Sequence, residues 1–363
     1  MLRLNVNWPL FYTELVSGKR RKIHEQILFQ FLVFLSFFYS LIIRVRALAY
    51  AIEIFKRYRL PLPVISVGNI TMGGTGKTPT VLFLAKELMA RGMRVAVLTR
   101  GYGGTLEGET RIVGDGSSIL LSPEEAGDEP CLLASSLPGL MVVMGSDRYK
   151  AGLLAIKDLS PDIFILDDGF QHQRVERDLD IVLLDSTAPF GNGRTVPAGF
   201  LREPQSSLNR ASLVIFTRAD GLKAPTDLLP AAVPYCVSSH RLSGFSRLGN
   251  DQLLPFQQLT DRRIVAFCGI AAPDAFFDGL EVEGVKLVST LAFPDHSEYG
   301  VREMEALGRL KVQSKADCFI TTAKDAVKLT RYAKIIGECY VDRLELELHD
   351  PEPLITALDR IVL

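Results

Sequence analysis

The chain has 363 residues, enough for two or three domains, and its 47% hydrophobic and 23% charged residues exclude disorder, collagen and coiled coil as whole-chain descriptions. Its formal net charge of −1 is a cancellation: residues 1–60 carry ten Lys/Arg against three Glu, leaving 31 Lys/Arg against 39 Asp/Glu for residues 61–363. A basic head on an acidic body points to an anionic partner for the head, either nucleic acid or a membrane surface.

The head contains the most apolar run in the chain, Ile27 to Ile43, between Lys19-Arg20-Arg21-Lys22 and the pair Arg44 and Arg46. As a helix this run reaches about 25 Å, short of the ~30 Å hydrocarbon core of a bilayer. Gln26, Gln30, Ser36, Ser40 and Arg44 fall on one helical arc, and this polar stripe with bases at both ends fits a helix lying in an anionic interface better than a spanning one. The basic region before the run is too long for a signal peptide, and no small-x-small cleavage site follows. The bases flank an aromatic and aliphatic block instead of interleaving with it, so nucleic acid is not expected as a partner.

From Pro61 onward, short β-branched runs alternate with helical stretches: residues 64–69, 95–100, 141–145, 162–168, 180–185 and 213–218. Continuous apolar runs mark strands buried on both faces, and the spacing leaves room for crossover helices. The expected fold is therefore α/β, a P-loop doubly wound and mostly parallel sheet preceded by an N-terminal apolar helix. Residues 222–260 read as a linker with two short strands. Runs at 263–270, 285–293 and 318–322 then suggest a second, smaller α/β domain over 261–363, following a kinase-sized domain over 61–221 and the basic segment 1–60. Five dispersed cysteines, odd in number and without CxxC spacing, support neither a disulfide framework nor a zinc site and read as small buried apolar residues.

The first strand runs into Thr71-Met72-Gly73-Gly74-Thr75-Gly76-Lys77-Thr78 and then a helical stretch. Glycines let the backbone curl so that N–H groups converge on a phosphate chain, and the helix N-terminus adds its positive dipole end. Lys77 would reach the β/γ-phosphates and Thr78 would ligate Mg²⁺, although Thr71 stands where the formal pattern has its first Gly. A second metal contact is expected from a carboxylate at a strand end, where Asp167 and Asp168 precede Gly169-Phe170-Gln171-His172; an acidic turn is the plainer alternative. Gly127-Asp128-Glu129-Pro130 opens a helix, and capping alone would explain it. Arg100-Gly101-Tyr102-Gly103-Gly104 and Arg148, one turn into the helix after residues 141–145, supply cations suited to an anionic substrate or a triphosphate.

Taken together, SVGNITMGGTGKTP, LTRGYGG, GDEP, DDGFQH, VPAGFLREP, FPDH and TTAKDAVKL, in this order, resemble the tetraacyldisaccharide 4'-kinases, the lipid A 4'-kinases of Gram-negative bacteria. The resemblance spans most of the chain and implies two α/β domains joined by a short β linker, with a membrane-associating N-terminus. It implies ATP- and Mg²⁺-dependent phosphorylation of the 4'-hydroxyl of a tetraacyl glucosamine disaccharide 1-phosphate at the cytoplasmic face of the inner membrane. By the same resemblance Lys77 and Thr78 serve triphosphate and metal, Asp128 is the general base, and His296 orients it from the second domain. Glu129, Asp167, Asp168, Gln171 and His172 would organise metal, water and γ-phosphate; Arg148 and Arg202 would contact phosphates; Tyr102 would lie near the sugar. No obligate protein partner is implied. The chain departs from the family's pattern at Ser297, at Ala323 and in Gly269-Ile270-Ala271-Ala272-Pro273.

Two alternatives use the same loop. A membrane-associated P-loop GTPase or ATPase switch would read guanine with a TKxD-like element, which Thr217-Arg218-Ala219-Asp220 weakly resembles. A partitioning ATPase would carry a Lys where this chain has Met72.

Overall fold

The computed structural model describes residues 8–219, 224–250 and 252–362. Helices α1 (Trp8–Val16) and α2 (Ile23–Ala51) lead into β1 (Val64–Asn69), α3 (Lys77–Ala90), β2 (Val95–Thr99), β3 (Arg111–Asp115), α4 (Pro123–Ala126), α5 (Asp128–Ser136), β4 (Met141–Met144), α6 (Arg148–Leu159) and β5 (Ile163–Asp167). Next come β6 (Leu179–Asp185), β7 (Leu213–Thr217), β8 (Tyr235–Arg247), β9 (Ile264–Cys268), α7 (Pro273–Val282), β10 (Leu287–Ala292) and α8 (Val301–Ser314). The chain ends with β11 (Cys318–Thr321), α9 (Ala323–Leu329), α10 (Ala333–Ile336), β12 (Cys339–Leu348) and α11 (Glu352–Val362).

These elements form two compact units, one from the segments Met1–Lys77, Asp168–Ser238 and Leu348–Leu363, the other from Thr78–Asp167 and Ser239–Glu347. In the first unit β1 runs parallel to β6, with Ile65 opposite Leu179, and β6 runs parallel to β7. The start of β8 adds to β7, with Phe216 opposite Val237. Every residue of β1 and β7 is buried, as apolar runs without alternation require of strands covered on both faces. Ile70, Phe170, Val182, Leu184 and Phe216 fill the core beneath them.

Within the second unit β2 pairs in parallel with both β4 and β5, and β3 lies antiparallel on β4. A further parallel set places β9 between β10 and β11, with β12 on β11. Phe267, Tyr299, Phe319 and Leu329 pack on one side of this set; Phe245, Phe276, Leu280 and Ile320 belong to another cluster. The architecture is thus the expected mostly parallel α/β fold. Strands β3 and β12 were not evident in the sequence, and among its described residues the linker expected to hold two short strands contains one strand of 13 residues, β8. All five cysteines are free and buried, and burial pushes the Cys131 thiol up to about 12.

Helix α2 differs from the expectation in length and facing. It has 29 residues, hence about 43 Å, because the flanks Ile23–Gln26 and Arg44–Ala51 continue the helix beyond the apolar run. By length and composition it is long and apolar enough to cross a membrane. Its start is fixed by Glu25, whose carboxylate accepts from the Lys22 N–H and pairs with Arg20. The serines of the polar stripe turn toward the protein, not outward: Ser36 and Ser40 hydrogen-bond Thr195, and the Tyr39 hydroxyl donates to the Arg202 carbonyl. Phe31, Phe34, Phe37, Phe38 and Ile42 are left exposed, and only 6% of the most apolar window is buried.

Candidate active site

The phosphate loop begins where β1 ends. Gly73 and Gly76 have φ of 107° and 83°, a region costly for residues with a Cβ, and this lets the chain curl between strand and helix. Three contacts brace the curl: Asn69 donates to Thr75 Oγ1 at 2.8 Å, Thr217 Oγ1 donates to the Thr75 carbonyl at 3.1 Å, and Arg218 donates to the Gly74 carbonyl at 2.5 Å. The VPAGFLREP segment lies alongside, since Met72 N–H donates to the Phe200 carbonyl and Arg202 N–H to the Ile70 carbonyl. Thr71 and Thr75 are buried, whereas Met72, Gly73 and Gly74 are exposed. Lys77 is the first residue of α3, Thr78 the second, and Pro79 falls in the first turn, where a missing N–H costs nothing.

Thr217 and Arg218 therefore hold the phosphate loop, with Arg218 also on Asp185, and this explains the TKxD-like element without a guanine reader. Asp220 lies outside the described residues.

Asp168 holds two cations of the first unit. Lys77 Nζ is 3.4 Å from its Oδ1, and Arg202 donates to both oxygens at 3.0 and 2.8 Å. Burial pushes this carboxyl up, but Lys77 and Arg202 outweigh burial and hold it below the ordinary Asp range. Asp168 has φ of 51°, a left-handed conformation that turns the chain sharply after β5. Two cations against one carboxylate leave a net positive charge for a phosphate chain. In the following loop Gln171 donates to the Asn69 carbonyl at 2.9 Å, Arg46 of α2 donates to the Gln171 carbonyl at 3.0 Å, and the His172 N–H closes a turn on Gly169.

In the second unit Asp128 is the first residue of α5, after Gly127 as N-cap. Its carboxylate makes no capping bond. Oδ2 instead lies 3.3 Å from His296 Nδ1 and accepts from Lys328 Nζ at 2.9 Å. His296 has φ of 60°, a left-handed backbone held by its N–H on Asp295 Oδ1 and on the Gly269 carbonyl. Such geometry costs on the order of 1–3 kcal/mol and persists only where neighbours fix it. Asp128 and His296 belong to one compact unit with their contact already formed. The LTRGYGG and GDEP motifs meet through their glycines: a Cβ on Gly127 would stand 2.4 Å from the Tyr102 carbonyl oxygen, and one on Gly104 2.2 Å from that of Glu125. Tyr102 and Glu129 have exposed side chains.

Arg148 is the first residue of α6, not one turn in, and is buried. It donates to the Gly145 carbonyl at 2.8 Å and to the Asp167 carbonyl at 3.5 Å, while Asp167 Oδ2 accepts from Thr99 at 3.3 Å. Among the described residues no group of three or more His, Cys, Asp or Glu side chains is gathered for a metal. The candidate donors, the Thr78 hydroxyl and single carboxylates, suit Mg²⁺, which takes one or two carboxylates and completes its shell with phosphate oxygens and water.

Sequence reasoning gave Asn69, Lys324 and Lys328 no role, although they lie inside the quoted motifs, and read Thr217 and Arg218 only as a weak guanine-reading element. Their contacts with Thr75, Gly74, His296 and Asp128 come from tertiary structure, which motif spacing does not reveal.

A family model described as tetraacyldisaccharide-1-P 4'-kinase matches residues 28–363. A tetraacyldisaccharide 4'-kinase of Geobacter metallireducens is 52% identical over 338 residues, covering 93% of this chain and 99% of the relative. One of Geobacter sulfurreducens is 50% identical over 352 residues, covering 97% and 99%. The crystal structure of LpxK from Aquifex aeolicus, in complex with ATP, is 34% identical with a TM-score of 0.78, over 92% of this chain and 99% of that one. With the ordered motifs, the mostly parallel fold and near-complete matches, the chain belongs to the tetraacyldisaccharide-1-P 4'-kinase family.

Proposed function

We propose that this protein transfers the γ-phosphoryl group of ATP to the 4'-hydroxyl of a tetraacyl glucosamine disaccharide 1-phosphate in lipid A biosynthesis. The observation that carries the reading is Asp128, a carboxylate in the first turn of α5 paired to His296, in a chain that also carries a braced phosphate loop. Phosphoryl transfer to an alcohol asks for charge neutralisation, in-line positioning and one proton acceptor. Residues Thr71 to Lys77 hold the triphosphate, with Lys77 and Arg202 on its oxygens in place of Asp168. Thr78, Asp167 and Glu129 are the residues that would hold Mg²⁺, which neutralises phosphate charge when bound. Gln171 and His172 order the groups around the γ-phosphate, Arg148 fixes the strand end that carries Asp167, and Tyr102 faces the sugar. Asp128 accepts the hydroxyl proton, and His296 keeps its carboxylate oriented.

In chain terms, residues 1–60 dock, 61–221 form the P-loop kinase domain, 222–260 link and 261–363 form the smaller α/β domain. The exposed aromatic side of α2 and its flanking bases support docking at the cytoplasmic face of the inner membrane, where an acylated phosphorylated substrate would reside. Asp128→Asn and His296→Ala are each expected to lower turnover by about 10²-fold or more while leaving ATP affinity unchanged in a binding titration. Equal loss of ATP affinity would count against this division of roles.

A further inference from the structure

Helix α9 carries Lys324 and Lys328 four residues apart, so both project from one face. Lys324 Nζ lies 3.0 Å from Asp295 Oδ1 and 3.3 Å from His296 Nε2, and Lys328 Nζ lies 2.9 Å from Asp128 Oδ2. One helical turn thus touches both members of the Asp128–His296 pair, and the kinase reading assigns neither lysine a task.

The chemistry of the donors fixes more than proximity. An ammonium has three N–H donors and no acceptor, so the imidazole nitrogen presents its lone pair to Lys324 at 3.3 Å, closer than the Asp295 carboxylate that also faces it at 3.9 Å. The ring proton of neutral His296 then resides on Nδ1, which donates to Asp128 Oδ2 at 3.3 Å. Lys328 approaches that same oxygen, so both contacts converge on Oδ2, and Oδ1 is the oxygen we assign to the incoming hydroxyl.

A plainer role for Lys328 is to neutralise buried Asp325. Its ammonium, however, is 3.9 Å from Asp325 Oδ1 against 2.9 Å from Asp128. Asp325 Oδ2 accepts from the Gly269 N–H at 2.9 Å and the Thr322 hydroxyl at 2.6 Å, and its Oδ1 faces the Lys328 ammonium at 3.9 Å, beyond hydrogen-bond reach. Lys328 is itself nearly buried and lies over the Tyr299 ring at 5.5 Å, so its stem is fixed while its head reaches Asp128.

We propose that Lys324 and Lys328 are positioning residues for phosphoryl transfer: Lys324 selects the Nδ1–H tautomer of His296, and Lys328 anchors the Asp128 carboxylate through Oδ2. The inference rests on Asp128 as the proton acceptor, and its test separates the two ideas. The chain has five histidines, so the imidazole ¹⁵N signals of His296 can be identified in full-length labelled protein by their loss in His296→Gln. Wild-type His296 is expected to show a protonated Nδ1 and a bare Nε2, and Lys324→Met to move the ring toward the Nε2–H form. Both Lys324→Met and Lys328→Met are expected to lower kcat at least about tenfold with the KM for ATP within about twofold, and Lys324→Arg to restore most of the loss. An Nε2–H ring in the wild type overturns the proposal, as do unchanged kcat values in both Lys→Met proteins when Asp128→Asn is inactive. Wild-type turnover by Asp128→Asn instead overturns the proton-acceptor reading, with the tautomer result still deciding the contact of Lys324. If Lys328→Met does not fold, Lys324→Met carries both the NMR and the kinetic test, since its side chain is 20% exposed.

Discussion

Asp342 shows how one buried group writes a pH dependence into the fold. Burial pushes its carboxyl up to about 7, against the opposing hydrogen bond from the Ala323 N–H. In the unfolded chain an Asp titrates near ~3.9, so the folded state binds this proton more tightly. Stability contributed by the protonated group is therefore complete below that value and is lost as pH rises through about 7. Asp342→Asn keeps an acceptor for Ala323 and removes the ionisation. Its denaturation midpoint should fall less than the wild type's between about pH 5 and about pH 8, and a parallel fall in the two proteins would contradict this. Gly127 makes a second prediction. With φ of 92° and the Tyr102 carbonyl where a Cβ would sit, Gly127→Ala should cost about 1–3 kcal/mol in denaturant unfolding, and a neutral change would contradict the close approach. At this scale the phosphate loop was legible because its glycines, Lys77 and Thr78 are one local turn. Lys328 was not, because it meets Asp128 across 200 residues of chain.

Helix α2 is the element whose reading changed most. Composition marked its apolar centre, but the helix runs on through charged and small residues that continue the same backbone pattern without raising hydropathy. The stripe was legible as a face, but its serines turn inward onto Thr195, a residue 159 positions away from Ser36, while Gln26, Gln30 and Arg44 stay exposed. With the serines turned inward, the aromatic side is presented outward, and Tyr39 and Arg46 reach the backbone of Arg202 and Gln171. Replacing Phe31, Phe34 and Phe38 together by Gln should change folding stability by no more than about 0.5 kcal/mol per site, since these side chains are exposed. Cosedimentation with anionic vesicles should weaken by at least about tenfold. Undiminished vesicle binding would contradict the docking role of this helix. Among strands, the fully buried runs were legible because they lack alternation. Strands β3 and β8, with partly exposed and polar residues, blend into loop composition.

For the whole molecule, the near-zero net charge separates into a basic head of +7 and an acidic body of −8, two opposite electrostatic tasks in one chain. On the proposed reading, the head with the exposed side of α2 would dock on anionic lipid, and the body would supply the carboxylates of the phosphoryl-transfer site beside its cations. Fold class followed from strand and helix alternation, and the family from seven ordered motifs. The grouping of segments distant in sequence into compact units followed from neither, because it depends on which strands pair after chain reversal. The most direct test of the account is transfer of radiolabelled γ-phosphate from ATP to a tetraacyl glucosamine disaccharide 1-phosphate by the full-length protein, with Asp128→Asn in parallel. The account predicts labelled lipid bearing a 4'-phosphate with the wild type and nearly none with the variant. Folded wild-type protein that binds ATP yet leaves the lipid unlabelled would contradict it.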